Sequence, residues 1–271
     1  MTLLVRDEAD IVDANLAYHL ARGVDEIIVT DHRSQDGTRE RVDAWAASDA
    51  RVHVLHEDRE DCDQAAFVTR MARMARRELG ADWVLNDDAD ELLWPEAGAD
   101  LAAALARVPR GYGRLVLPRV TFVARPDDDR PFFERMTLRQ ADSVDEIGRP
   151  LRPKVAHRGS ARATVGRGSH DVSLALWQAR TCHEPLITIL HFPRRTFAQY
   201  RHKVQIGGAT PGYQHKTIVA AHTALQYGRL EERYRDEASL DTGLVEDTRL
   251  LDFFRASEKW EALLSTYGRH H

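Results

Sequence analysis

The 271-residue sequence predicts an α/β fold built on an open, mostly parallel sheet, on three observations. Through the first 95 residues short apolar runs alternate with amphipathic stretches, the rhythm of strands linked by right-handed helical crossovers. Polar and acidic residues recur where those runs end, as they do when a sheet gathers ligand-binding side chains at the carboxyl ends of its strands. The hydrophobic share of 43% supplies enough apolar surface for a large core.

The elements follow in order. TLLV (2–5) is the first strand. In DEADIVDANLAYHLARG (7–23), Val12, Leu16 and Leu20 recur at helical spacing before Gly23, which suits a helix C-terminus. DEIIVTD (25–31) is a buried strand, DGTRERVDAWAAS (36–48) a helix, and RVHVLHE (51–57) the next strand. QAAFVTRMARMARREL (64–79) is a longer helix with Phe67, Met71, Met74 and Leu79 on or near one face, and DWVLN (82–86) a fourth strand. From about residue 112 the rhythm fades into the strands YGRLVLPRVTFV and PLITILHFP joined by long polar connections, and residues 197–264 read as largely helical. No stretch rich in Gly, Ser or Pro marks an independent domain. The expected divisions are residues 1–95, 96–208 and 209–271, the last a helical C-terminal extension.

Composition narrows the function. A formal net charge of −5 gives no support to a general nucleic-acid or anionic-membrane binder, for which a basic surface is expected. Cys62 and Cys182 lie far apart, which fits reduced thiols in a cytoplasm better than a disulfide framework. Neither a membrane span nor a signal pattern is visible. A soluble cytoplasmic enzyme is expected.

Asp87, Asp88, Asp90 and Glu91 place four carboxylates in five positions, flanked by Trp83, Val84, Leu85, Leu92, Leu93 and Trp94. Like charges so close repel, the more so when partly desolvated, which calls for a positive partner. Asp88-Ala89-Asp90 at a strand end can hold a divalent cation such as Mg²⁺ or Mn²⁺, which takes oxygen ligands and keeps positions for phosphate. The same acids can instead cap a helix beginning near Leu92. Asp31, also at a strand end, is placed to accept hydrogen bonds from a base or ribose. Asp36-Gly37-Thr38 after it reads mainly as a tight turn.

LLVRDEADIVDANLAYHLARGVDEIIVTDHRSQDGT (3–38) followed by WVLNDDADELLWP (83–95) resembles the family 2 glycosyltransferases of the GT-A fold. PFFERMTLR, PKVAHR, GSHDV and ILHFPRRTFAQYRHKV extend the resemblance more loosely to about residue 208. It implies a Rossmann-like sheet whose first 95 residues bind a nucleotide sugar and whose second half faces the acceptor. It implies that Asp88 and Asp90 hold a metal on the diphosphate of the donor, that Asp31 contacts the uracil or ribose of a UDP-sugar, and that Glu8 lies by the nucleoside. Transfer with inversion is expected, although no Glu-Asp pair follows the central strands where inverting members usually keep their base.

The segment 148–170 carries five arginines, Lys154 and two histidines without an acid, and can neutralise a leaving diphosphate, with Lys154 the preferred contact. The candidate bases are Asp171, beside His170 in a glycine-rich loop, and Glu134, set among aromatic residues that favour a raised carboxylate pKa. Many GT-A enzymes complete the metal site with a histidine, for which His191 is preferred, leaving His170 to the phosphate or acceptor. Two rivals remain: a sugar nucleotidyltransferase, which usually shows a glycine-rich first loop that LLVRDEADI lacks, and a non-catalytic nucleotide-sugar binder.

Overall fold

The computed structural model describes residues 1–96, 100–123, 130–144, 149–211, 216–238 and 243–257. The elements are β1 (Thr2–Val5), α1 (Val12–Ala21), β2 (Ile27–Asp31), α2 (Thr38–Ser48), β3 (Val52–His56), α3 (Gln64–Arg77), β4 (Trp83–Val84), β5 (Asn86–Asp88), β6 (Glu91–Pro95) and α4 (Leu101–Ala106). They continue as β7 (Arg114–Leu117), β8 (Arg119–Thr121), α5 (Phe132–Arg135), β9 (Leu138–Gln140), β10 (Lys154–Arg158), β11 (Thr164–Val165), β12 (Val172–Ser173), β13 (Thr181–Cys182) and β14 (Ile187–His191). The last are α6 (Phe197–Ala209), α7 (Lys216–Gln226), α8 (Leu230–Ala238), β15 (Leu244–Glu246) and α9 (Arg249–Ala256). The chain forms two compact units, one of Met1–Arg119 with Arg152–Leu190, the other of Val120–Leu151 with the chain from His191 onward.

In the first unit the expected parallel sheet is present in the order β3-β2-β1-β5. Its register sets Val5 opposite Asp31 and Leu4 opposite Asp88, so Asp31 and Asp88 flank the end of β1. Crossover helices cover the sheet. α1 buries Val12, Leu16 and Leu20, and Gly23 follows it at φ +84°, a left-handed conformation that costs glycine little. α3 buries Phe67, Val68, Met71, Ala72 and Ala75 along one face. Its N-cap Asp63 accepts the Ala66 N–H at 3.1 Å.

The fourth strand departs from expectation. It breaks at Leu85: β4 pairs with β10 in a second sheet, ordered β13-β7-β10-β4, while β5 joins β1. Asp87 and Asp88 therefore lie within a strand. No helix starts at Leu92, because Glu91–Pro95 is strand β6 beside β14. The acids do not cap a helix there.

In the second unit, β9 and β15 pair antiparallel, Leu138 opposite Glu246. Phe122 stacks on Phe192 at 4.4 Å between ring centroids, and Phe133 on Phe254 at 4.4 Å. Tyr200, Val204, Ala221 and Leu230 join α6, α7 and α8 in a small core. The expected helical run thus holds over the described part of 197–264, interrupted by β15. No helix among the described residues is long and apolar enough to cross a membrane, and Cys62 and Cys182 are buried free thiols.

Candidate active site

The loops that leave β1 and β2 are tied together. Asp7, at φ +55°, accepts the Gln35 N–H on Oδ1 at 2.6 Å and donates its own N–H to Ser34 Oγ at 3.0 Å. The Glu8 N–H goes to Thr38 Oγ1 at 2.8 Å, and both oxygens of Asp36 take N–H groups, from Ala9 and Thr38. Asp36-Gly37-Thr38 is accordingly a structural turn that fixes Glu8, itself buried, beside the strand ends.

Asp31 is fully buried. Its Oδ2 accepts Arg39 Nε at 2.8 Å, while its Oδ1 is buried without a hydrogen-bond partner. A buried acceptor left in this state costs about 1–3 kcal/mol, which a ligand donor can recover.

The acidic turn finds its positive partners within the chain. Lys154, at the start of β10, places Nζ 2.7 Å from Asp88 Oδ2 and also pairs with Glu91; Arg119 Nε lies 3.2 Å from the other Glu91 oxygen. The Lys154 side chain is 2% exposed and that of Asp88 is 36% exposed. Burial alone would lower the Lys154 pKa, but Asp88, Glu91 and Asp87 together raise it. Burial pushes Glu91 up, against the pull of Lys154 and Arg119. It pushes Asp87 up further, with Glu91 adding to the effect. Lys154, expected on the diphosphate, pairs in this structure with Asp88 and Glu91.

The backbone of the turn is held by polar residues of α1. Asn15 Nδ2 donates to the carbonyls of Ala89 (3.1 Å) and Glu91 (2.8 Å), and Tyr18 Oη to that of Leu93 (3.0 Å). His19 Nε2 accepts the Leu93 N–H at 3.1 Å while Nδ1 faces Asn15 O at 2.9 Å. This makes His19 a neutral ring, and burial holds its pKa down to about 3. Its 3.5 Å approach to Asp87 is therefore no ion pair. Sequence reasoning missed these three residues, although their i, i+3, i+4 spacing is one helix face.

His170 belongs to the same unit as Asp88 and Asp90. Its Nδ1 is 2.9 Å from the Pro153 carbonyl, and burial, then Arg119, Arg152 and Lys154, lower its pKa. Gly168, at φ +69°, packs against the ring so closely that a Cβ would come within 2.8 Å of it. Asp171 is an exposed side chain 3.5 Å from Arg114 Nη1. Asp90 is buried in the turn between β5 and β6. In the second unit, His191 ends β14 with Nδ1 3.5 Å from Thr121 Oγ1, and Glu134 is half-buried on α5. No group of three or more His, Cys, Asp or Glu side chains able to hold a metal ion occurs among the described residues.

A parallel α/β unit that brings a buried carboxylate with an unpaired oxygen and an acid cluster to the carboxyl ends of its strands has the layout of a ligand-binding protein of this fold class. Residues 8–140 match the family model described as glycosyl transferase family 2, which marks this part of the chain as a glycosyltransferase domain. No curated protein sequence matches it. Among solved structures it is similar to the mannosyltransferase PcManGT of Pyrobaculum calidifontis, in complex with GDP-Man and Mn²⁺, at 17% identity over 99% of this chain and 83% of that one, TM-score 0.43. It is also similar to TarS of S. aureus, at 13% identity over 97% and 50% of the two chains, TM-score 0.41. The third is GalNAc-T7 with UDP, GalNAc and Mn²⁺, at 13% identity over 98% and 57%, TM-score 0.45. The chain spans about half the length of the last two.

Proposed function

We propose that the protein transfers a sugar from a nucleoside diphosphate sugar, with UDP as the nucleotide, to a hydroxyl or amine acceptor, with inversion and with Mn²⁺ or Mg²⁺ bound. The observation that carries this reading is the pair of carboxylates flanking β1. Asp31 keeps a buried oxygen without a partner, suited to a uracil or ribose donor, and Asp88 presents a partly exposed carboxylate on the other side. Glu8 lies in the adjoining loop.

Asp88 and Asp90 supply the hard oxygen ligands that Mn²⁺ and Mg²⁺ take. A cation held there would stabilise the charge developing on the leaving diphosphate. Lys154 adds a positive charge beside Asp88, and by exchanging Asp88 for a phosphate oxygen it would meet the diphosphate. The sequence favours His191 as a further ligand. What supports His170 instead is its place in the unit of the acid pair and its Nδ1–H bond to Pro153, which leaves Nε2 to accept.

The acceptor's proton goes to a carboxylate. Asp171 and Glu134 are the candidates, separated by Asp171→Asn and Glu134→Gln. The base variant loses about 10²-fold or more in kcat with donor KM unchanged, and the other does not. The reading as a whole is tested by incubating the protein with a panel of nucleotide sugars and following nucleoside diphosphate release. Release that EDTA abolishes and Mn²⁺ restores supports it; none from any donor, with or without metal, refutes it.

A further inference from the structure

The basic segment 148–170 does not serve one rim alone. β10 starts with Lys154 on the acid cluster and ends with Arg158 opposite Trp83 of β4, four residues and so about 13 Å further along the strand. At that far rim a cavity of about 240 Å³ is lined by Arg110, Tyr112, Gly113, Arg158 and Gln178.

Its walls are fixed by backbone contacts. The Gly113 N–H donates to Arg180 O at 3.0 Å and the Arg158 N–H to Gly113 O at 2.8 Å. The strand and the 178–180 loop approach so closely that a Cβ on Gly113 would lie 2.1 Å from Gln178 O.

Its charge is one-sided. Arg158 lies over the Trp83 ring at 4.3 Å and Arg180 over Tyr112 at 4.4 Å. Their hydrogen bonds are to the Val108 carbonyl at 3.4 Å and the Tyr112 hydroxyl at 3.1 Å. Among the described residues no carboxylate pairs with Arg110, Arg158 or Arg180, in a chain whose 43 acids outnumber its 38 lysines and arginines. Stacking on an aromatic face holds a guanidinium in place while leaving N–H edges to donate in its plane, the geometry that grips tetrahedral oxyanions.

We infer that this cavity is a second anion site, separate from the donor rim, which takes a phosphate group carried either by a soluble phosphorylated compound or by a lipid headgroup. Titration calorimetry of inorganic phosphate into the whole chain at low salt is expected to show binding that Arg110→Gln and Arg158→Gln each weaken by about tenfold. Arg162→Gln, an exposed arginine of the same basic segment, leaves it unchanged. Circular dichroism checks that the variants remain folded. A second arm measures co-sedimentation with phosphatidylcholine vesicles with and without phosphatidic acid. Sedimentation that needs both phosphatidic acid and the two arginines identifies a lipid headgroup, and phosphate binding without it a soluble phosphate. If neither arm shows binding that depends on Arg110 and Arg158, the site does not exist.

Discussion

Lys154 Nζ lies 2.7 Å from Oδ2 of Asp88 across 66 residues of sequence, and the same ammonium pairs with the buried Glu91. One cation thus serves both an outward-facing carboxylate and an inward-facing one. The clustering of acids is tolerable before any ligand arrives, and a cation at Asp88 and Asp90 would adjust a charge balance that already exists.

Lys154→Met should strand Glu91 with Arg119 alone and destabilise the protein by about 3–5 kcal/mol at neutral pH, the usual effect of removing one partner of a buried pair. Glu91 would then gain a still higher folded pKa, so the deficit should be smallest below its ordinary value of 4.5 and grow as pH rises through the folded one. Urea denaturation of both proteins across that range measures it. A deficit independent of pH would assign the loss to packing.

Asn15→Leu removes the donor shared by the Ala89 and Glu91 carbonyls and should cost about 1–3 kcal/mol for each acceptor left buried. Because Ala89 and Glu91 bracket Asp90 and Ala89 directly follows Asp88, Mn²⁺-dependent UDP binding should weaken more than uridine binding. Equal weakening of the two would mean that Asn15 supports the fold without positioning the acids.

Much of this site was legible in sequence order, and the remainder depended on distant pairing. The β1 to α3 rhythm reads correctly because hydrophobic periodicity is local. The break of the fourth strand at Leu85 does not, since β4 is defined by β10, some 70 residues on, and β5 by β1. Lys154 was legible as a special cation but not as the partner of Glu91. On α1 attention to Val12, Leu16 and Leu20 hid the polar face of Asn15, Tyr18 and His19, which touches the acid turn.

Asp31→Ala should weaken UDP and uridine by a similar factor of about 10 to 100, since a hydrogen bond to a charged group contributes about 1.5–3 kcal/mol. Arg39 keeps Asp58 as a partner, which limits the structural loss. Calorimetry that shows weakened UDP but unchanged uridine would move Asp31 away from the nucleoside.

His157 provides a pH test away from the acids. Burial lowers its pKa from 6.5 to about 4, so the unfolded chain takes up a proton from pH 6.5 downward while the folded one stays neutral. The folded state is therefore fully favoured above 6.5 and loses stability as pH falls toward 4, by up to about 3 kcal/mol. Relative to His157→Gln, wild-type stability should fall across that window; parallel pH curves would show that the ring titrates normally.

Whether a histidine completes the proposed metal site, and which one, can be decided by comparing two variants. Imidazole suits Mn²⁺ better than Mg²⁺, so a histidine ligand predicts higher activity with Mn²⁺, and its loss should narrow that preference. His170 offers an Nε2 left free by its Nδ1 bond to Pro153; His191, at the end of β14, lies 3.5 Å from Thr121 Oγ1. His170→Ala should raise the Mn²⁺ concentration for half-maximal activity by about tenfold or more, the usual penalty for disturbing a metal's ligand sphere. His191→Ala should move it far less. The opposite ranking would return the role to His191, and an unchanged Mn²⁺ requirement in both variants would leave water and phosphate oxygens to fill the sphere around Asp88 and Asp90.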